Sequence, residues 1–163
     1  MNVGQLMTQN VRACSRHNTL EAAARLMWDN DCGCVPVVDE NRRVLGMLTD
    51  RDICMAAYTQ GGPLRALTVS SAMSKRLYTC KPDDTLEAAE AVMRANQIRR
   101  LPVTDAEGRL VGIISLNDIA REGEHELALE AKKRQVTSDE IGLTLAAICS
   151  PRASRAAATA AAA

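Results

Sequence analysis

A chain of 163 residues, 47% hydrophobic and 25% charged, is sized for one globular domain or two half-size units sharing a core, and the absence of Phe makes that core aliphatic. Lys plus Arg and Asp plus Glu both number 20, and this balance argues against a broad nucleic-acid-binding surface, which needs clustered positive charge. No apolar run approaches the roughly 20 residues that span a bilayer, and the opening MNVGQLMTQN lacks the order of a secretory signal, so a cytoplasmic protein is expected.

Residues 4–9 suggest a short helix and residues 11–14 a short strand. Asn18 and Glu21 stand at the two ends of a helix-capping pattern, and Leu20, Ala23, Ala24 and Met27 follow at helical spacing. Residues 34–38 and 43–48 read as two Val- and Leu-rich strands around a turn, Asp39-Glu40-Asn41-Arg42. Pro36 cannot donate to a ladder, which puts it at a strand start or edge. A helix over 50–59 follows, with Ile53, Ala56 and Ala57 on one face, and Gly61-Gly62-Pro63 breaks it.

The same order then returns. At an offset of 66 residues, 16 of the 47 positions between Met7 and Ile53 are identical to their partners. Pro36 matches Pro102, Asp39 matches Asp105, Gly46 matches Gly112 and Asp52 matches Asp118. Self-similarity this dense means a duplicated supersecondary unit. Beyond Ile119 the repeat ends; residues 121–149 look helical, with Thr137 or Ser138 capping a last segment whose Ile141, Leu145 and Ile148 share a face. Residues 152–163 look like a frayed tail.

The six cysteines lack zinc-site spacing: Cys32-x-Cys34 has too short a gap and no second pair. They read first as small buried hydrophobes, with a thiol or metal sensor as the alternative. His17 and His125 have no partner at recognisable spacing, and no Gly-rich phosphate loop or nucleophile elbow occurs, so no enzyme is expected. Trp28 stands where the second copy has Arg94; it reads either as core or, with Met55 and Tyr58 extending a patch, as a dimer anchor, the favoured reading.

Each copy closes on a glycine, two apolar residues, a hydroxyl and an acid three further on: Gly46-Met-Leu-Thr49-Asp-Arg-Asp52 and Gly112-Ile-Ile-Ser115-Leu-Asn-Asp118. A hydroxyl opening a helix with an acid three residues on is a capping box in its own right. Equally, a helix N-terminus suits a phosphate, a hydroxyl donates to oxygen, and a carboxylate accepts from a ribose diol. Both readings stand on the residues alone.

With the Val35-Pro36-Val37 and Leu101-Pro102-Val103 strands, these turns give the chain a resemblance to the tandem cystathionine β-synthase (CBS) domain pair, over residues 4 to about 121. The ending Ala147-Ile-Cys-Ser-Pro151 resembles that of bacterial hypoxia- and stress-response members, which are free-standing pairs. The resemblance implies an α+β fold of two β-α-β-β-α repeats, residues 1–62 and 63–121, packed with pseudo-twofold symmetry, and a helical extension over 122–163. It implies a regulatory, non-catalytic protein that needs no cofactor or metal and dimerises through its helices. Two clefts would take AMP, ADP, ATP or S-adenosylmethionine. Thr49, Ser115, Asp52 and Asp118 would hold ribose and phosphate, and the strands around Cys34-Val35 and Arg100-Leu101 the base. Arg51 is available for phosphate in the first cleft, with neutral Asn117 as its counterpart; Arg99 and Arg100 precede the second-copy strand. A downstream protein partner is conceivable. The competing readings are a ligand-free dimeric stress scaffold and a cysteine-based sensor.

Overall fold

The computed structural model describes residues 1–126 and 137–149. The expected helical stretch 127–136 and the tail from residue 150 lie outside them, as does the side chain of His125. In chain order the elements are α1 (Val3–Leu6), β1 (Cys14–Ser15), α2 (Leu20–Asp29), β2 (Cys34–Val38), β3 (Val44–Thr49) and α3 (Asp50–Gln60). After a single 3-10 turn (Leu64–Ala66) come α4 (Val69–Ala72), α5 (Leu86–Asn96), β4 (Arg100–Thr104), β5 (Leu110–Ser115), α6 (Leu116–Glu126) and α7 (Ser138–Cys149). The fold is α+β, and among the described residues no helix is long and apolar enough to cross a membrane.

The duplication is explicit in the hairpins. Cys34 pairs with Thr49 and Arg100 with Ser115, and both ladders slip by one residue at the same place, Val37/Val38 and Val103/Thr104. The aspartate opening each turn explains why it recurs: Asp39 Oδ1 accepts from the amides of Asn41 and Arg43 at 2.9 and 2.8 Å, and Asp105 Oδ1 from Glu107 and Arg109 at 3.0 and 2.8 Å. Each turn needs a left-handed residue. The second copy has Gly108 there (φ 79°), whereas the first uses Arg42 (φ 61°) at a cost of roughly 1 kcal/mol.

The first strand of each half runs parallel to the hairpin, Cys14 beside Val37 and Cys80 beside Val103. It is shorter and later than the expected 11–14, and Thr8 upstream of it pairs with Ile113 of the other half. Pro36 is at neither a strand start nor an edge: it is the middle residue of β2, the central strand, paired with Met47, and it is tolerated there because the short β1 flanks only Val37 and Val38. The two halves meet at their turns, where Val44 N donates to Gly108 O (3.1 Å) and Leu110 N to Arg42 O (2.9 Å).

Two elements cross between the halves. Val3 N donates to Asp84 O and Gly4 N to Pro82 O, and Val3 is buried among Leu86, Met93, Leu101 and Ile114 of the second half. In mirror fashion Val69 N donates to Asn18 O, and Val69 is buried with Leu20, Val37 and Leu48 of the first. Glycines make room for the crossing chain: a Cβ on Gly46 would strike the carbonyl oxygen of Ser74, and one on Gly112 the thioether of Met7.

Helix caps differ from expectation by one residue. Thr19, not Asn18, caps α2, and Thr85 likewise caps α5, each hydroxyl accepting from the amide three residues on. Asn18 and Asp84 instead accept from Ser15 N and Lys81 N (both 2.7 Å), closing the preceding turns. The stripe of α2 is inward as read, with Leu20, Ala23 and Met27 buried. Helix α7 is capped by Thr137 through a reciprocal bond with Glu140. It lies on α5 and α6, with Ile148 in the second core. Its inward face carries Thr144 in place of the expected Leu145, because Arg94 Nη1 reaches across from α5 to donate to Thr144 Oγ1 (2.9 Å); Leu145 points outward.

Candidate functional site

The start of α6 shows what the repeated hydroxyl–acid pair does locally. Asp118 Oδ2 accepts from Ser115 N (2.8 Å) and Ser115 Oγ (2.5 Å), while Ser115 Oγ accepts from Asp118 N (3.3 Å). Thr49 and Asp52 repeat the arrangement at α3, with 2.9, 2.7 and 3.1 Å for the same three bonds. Both pairs are complete capping boxes, which holds each side chain in one rotamer at a helix entrance. Asp118 is buried, and its other oxygen, Oδ1, accepts from Arg121 Nη2 at 2.5 Å.

A cleft of about 640 Å³ opens beside this corner. On one side it is lined by Ser115, Asn117, Asp118 and Arg121. Thr8, Asn10 and Arg12 of the crossing N-terminal segment form a second wall, hydrogen-bonded to β5 through Thr8 and Ile113. The loop between α2 and β2 supplies Asn30, Asp31 and Cys32 from the first half, Asp31 in a left-handed conformation (φ 47°). Cys34 and Arg100, equivalent residues at the starts of β2 and β4, complete it.

Of the residues singled out in the sequence, Cys34, Arg100, Ser115, Asn117 and Asp118 are brought together here. Thr49, Arg51, Asp52 and Arg99 do not line this cleft; the first three sit at the symmetry-related helix start. Val35 and Leu101, at 1% and 0% exposure, are core residues of their respective halves. Three arginines therefore face the space: Arg12, Arg100 and Arg121. Sequence reasoning missed Arg12 and Arg121. The first reaches this cleft only because α1 crosses over. The second sits one turn beyond Asp118, a spacing that could have exposed it as an i,i+3 partner.

The cysteines are all free. Burial pushes the Cys14 thiol up to about 11 and that of Cys80 to about 12. Burial also raises Cys34, with the charge of Arg100 working against it. Thiolate is the reactive form, and burial works against it at all three. Among the described residues no three His, Cys, Asp or Glu side chains lie together as a metal site.

The CBS-domain family profile matches residues 3–58 and 69–125, one span for each half of the duplication. The chain belongs to the CBS-domain family. Similar to this CBS pair is the CBS domain-containing protein YhcV of Bacillus subtilis, 40% identical over 119 residues (73% of this chain, 83% of that protein). Hypoxic response protein 1 of Mycobacterium tuberculosis is 34% identical over 149 residues (91% and 94%). The crystal structure of Hypoxic Response Protein I with two coordinated zinc ions matches with a TM-score of 0.68 at 34% identity, covering 74% of this chain and 98% of that one. CBSX2 in complex with AMP matches with a TM-score of 0.67 at 25% identity, over 76% and 96% of the two chains.

Proposed function

We propose that this CBS pair is a regulatory module that takes an adenosine nucleotide in the cleft beside Ser115 and Asp118. The observation that carries the reading is the convergence, around about 640 Å³, of a hydroxyl, an acid at a helix start and three arginines. The acid is an acceptor for a ribose diol, the helix start and the arginines suit phosphate, and CBSX2 holds AMP. The relatives of the hypoxic-response type make a stress-linked energy sensor the natural setting.

The exposed Trp28, with Met55 and Tyr58 on the neighbouring helix, supports a homodimer joined through the helices of the first half. A ligand would then act by preferring one packing of the two copies, or of a protein partner, over another.

Titration of the purified chain with AMP, ADP, ATP and S-adenosylmethionine by calorimetry tests the reading. At least one nucleotide should release heat and raise the melting temperature, and Asp118→Ala should abolish the effect at this cleft. Absence of heat and of any melting shift with all four sinks it. A second reading has an observation in its favour: Asp52 and Asp118 are already engaged as caps. On that ligand-free scaffold reading, Asp118→Ala costs only about 1 kcal/mol of stability and no nucleotide protects the fold.

A further inference from the structure

We infer that Arg121 is the phosphate-discriminating residue of the second-half cleft, and that its pair with Asp118 is a resting contact that a bound ribose displaces. This rests on the adenosine-nucleotide reading of the cleft.

Asp118 has two oxygens. Oδ2 is committed to Ser115 through both N and Oγ, so Oδ1 is the acceptor left for a ribose hydroxyl, and Arg121 occupies it at 2.5 Å. The Arg121 side chain is 74% exposed while that of Asp118 is 7% exposed. The acid is fixed and the guanidinium is the partner free to leave. An ion pair with one member so exposed is weak and readily exchanged. A ribose diol arriving at Oδ1 is neutral, so it takes the carboxylate without replacing the charge that Arg121 loses. The guanidinium then stands at the cleft wall without a counter-ion, and a ligand phosphate supplies one in a planar two-donor geometry.

The internal repeat shows that an arginine one turn beyond the acid occurs at only one of the two helix starts. At 66 residues' offset the hydroxyl and acid persist as Thr49 and Asp52, but Arg121 becomes Met55 and Arg12 becomes Tyr78; Cys34 and Arg100 are each other's counterparts, so that pair is common to both clefts. The first half's Arg51 and Arg76 stand at the places of Asn117 and Asn10, so its cations are not equivalent ones. The hydroxyl and acid are duplicated, whereas the arginines at positions 12 and 121 are not. The ligand class is an adenosine with a phosphate on the ribose, in preference to adenosine itself or a sulfonium analogue.

The test compares AMP with adenosine by calorimetry on the full chain, for wild type, Arg121→Met (the first half's residue) and Arg121→Lys. The site class that disappears with Asp118→Ala identifies the cleft. Arg121→Met should lower the preference for AMP over adenosine by roughly tenfold or more, with adenosine affinity held or improved, since Oδ1 is now vacant. Arg121→Lys, which keeps charge but not the fork, should fall between. Wild-type preference retained in Arg121→Met overturns the inference while leaving the nucleotide reading intact. Binding of neither compound to wild type removes both.

Discussion

The crossing of α1 into the second half makes a prediction that ordinary sequence order would reverse. Val3 is fully buried, and Val3→Ala removes two methyl groups from the core that holds Leu86, Met93, Leu101 and Ile114. At about 0.8 kcal/mol each plus the cavity left behind, the cost is about 2–3 kcal/mol, or about 5–10 °C in melting temperature for a chain of this size. Hydrogen exchange locates the damage. The amide of Ile113, bonded to Thr8 O, and that of Leu86, bonded to Met1 O, should lose protection. The amide of Leu20, bonded to Leu67 O, should keep it relative to the global change. Val69→Ala should do the opposite, exposing Leu20 and sparing Ile113. Since the same segment carries Thr8, Asn10 and Arg12 to the cleft, Val3→Ala should also weaken nucleotide binding where Val69→Ala does not. Protection lost first at Leu20 in Val3→Ala would refute the exchange of elements and, with it, the composition of the cleft.

Glu90 gives a pH test. Burial raises its carboxyl above the usual range, against the lowering charge of Arg94. A raised acid stabilises the fold fully below its unfolded value and loses that contribution as pH rises through the folded value. Melting curves should therefore show wild type falling behind Glu90→Gln as pH goes from acid to neutral, and a pH-independent gap would contradict this. Trp28, the sole tryptophan, is 86% exposed in the single chain. In a homodimer built on it, Trp28→Ser should weaken association by roughly 30-fold or more in sedimentation velocity. Wild-type emission should shift to the red on dilution, and unchanged sedimentation of the variant would exclude the face.

The duplication was legible because each recurrent residue answers a local demand. Asp39 and Asp105 close turns, Gly46 and Gly112 admit a crossing chain, and Thr49 and Ser115 cap helices with their acids. Local demands act over a few residues and leave their mark at fixed spacing. What failed to show was anything decided across the molecule. A 66-residue offset is the same whether α1 packs on the first half or the second, so the exchange of Val3 and Val69 leaves no signature in it. Helix periodicity put Leu145 inward, whereas the bond from Arg94, 50 residues away, turned Thr144 in. Asn18 looked the better cap because it precedes the stripe, yet its side chain was already needed by Ser15.

The departures from internal symmetry gather on one half, and they are connected. Helix α6 begins with Ser115, Leu116, Asn117 and Asp118, carries Arg121 one turn on, and packs on α7. Helix α7 in turn is tied to α5 through Arg94, Thr144 and buried Glu90. The equivalent face of the first half has Trp28 where Arg94 would be and leaves it uncovered. An ancestral pair of identical repeats would offer two like clefts and two like helix faces. Here the cleft at α6 draws Arg12 from the first repeat and Arg100 and Arg121 from the second, a helix lies over α5 and α6, and the first repeat keeps an open aromatic surface. One turn beyond the acid, Met55 and Arg121 differ in residue type. Their divergence, beside an unchanged hydroxyl and acid, fits a pair in which one cleft reads the charge of its ligand and the opposite helix face makes contact with another copy.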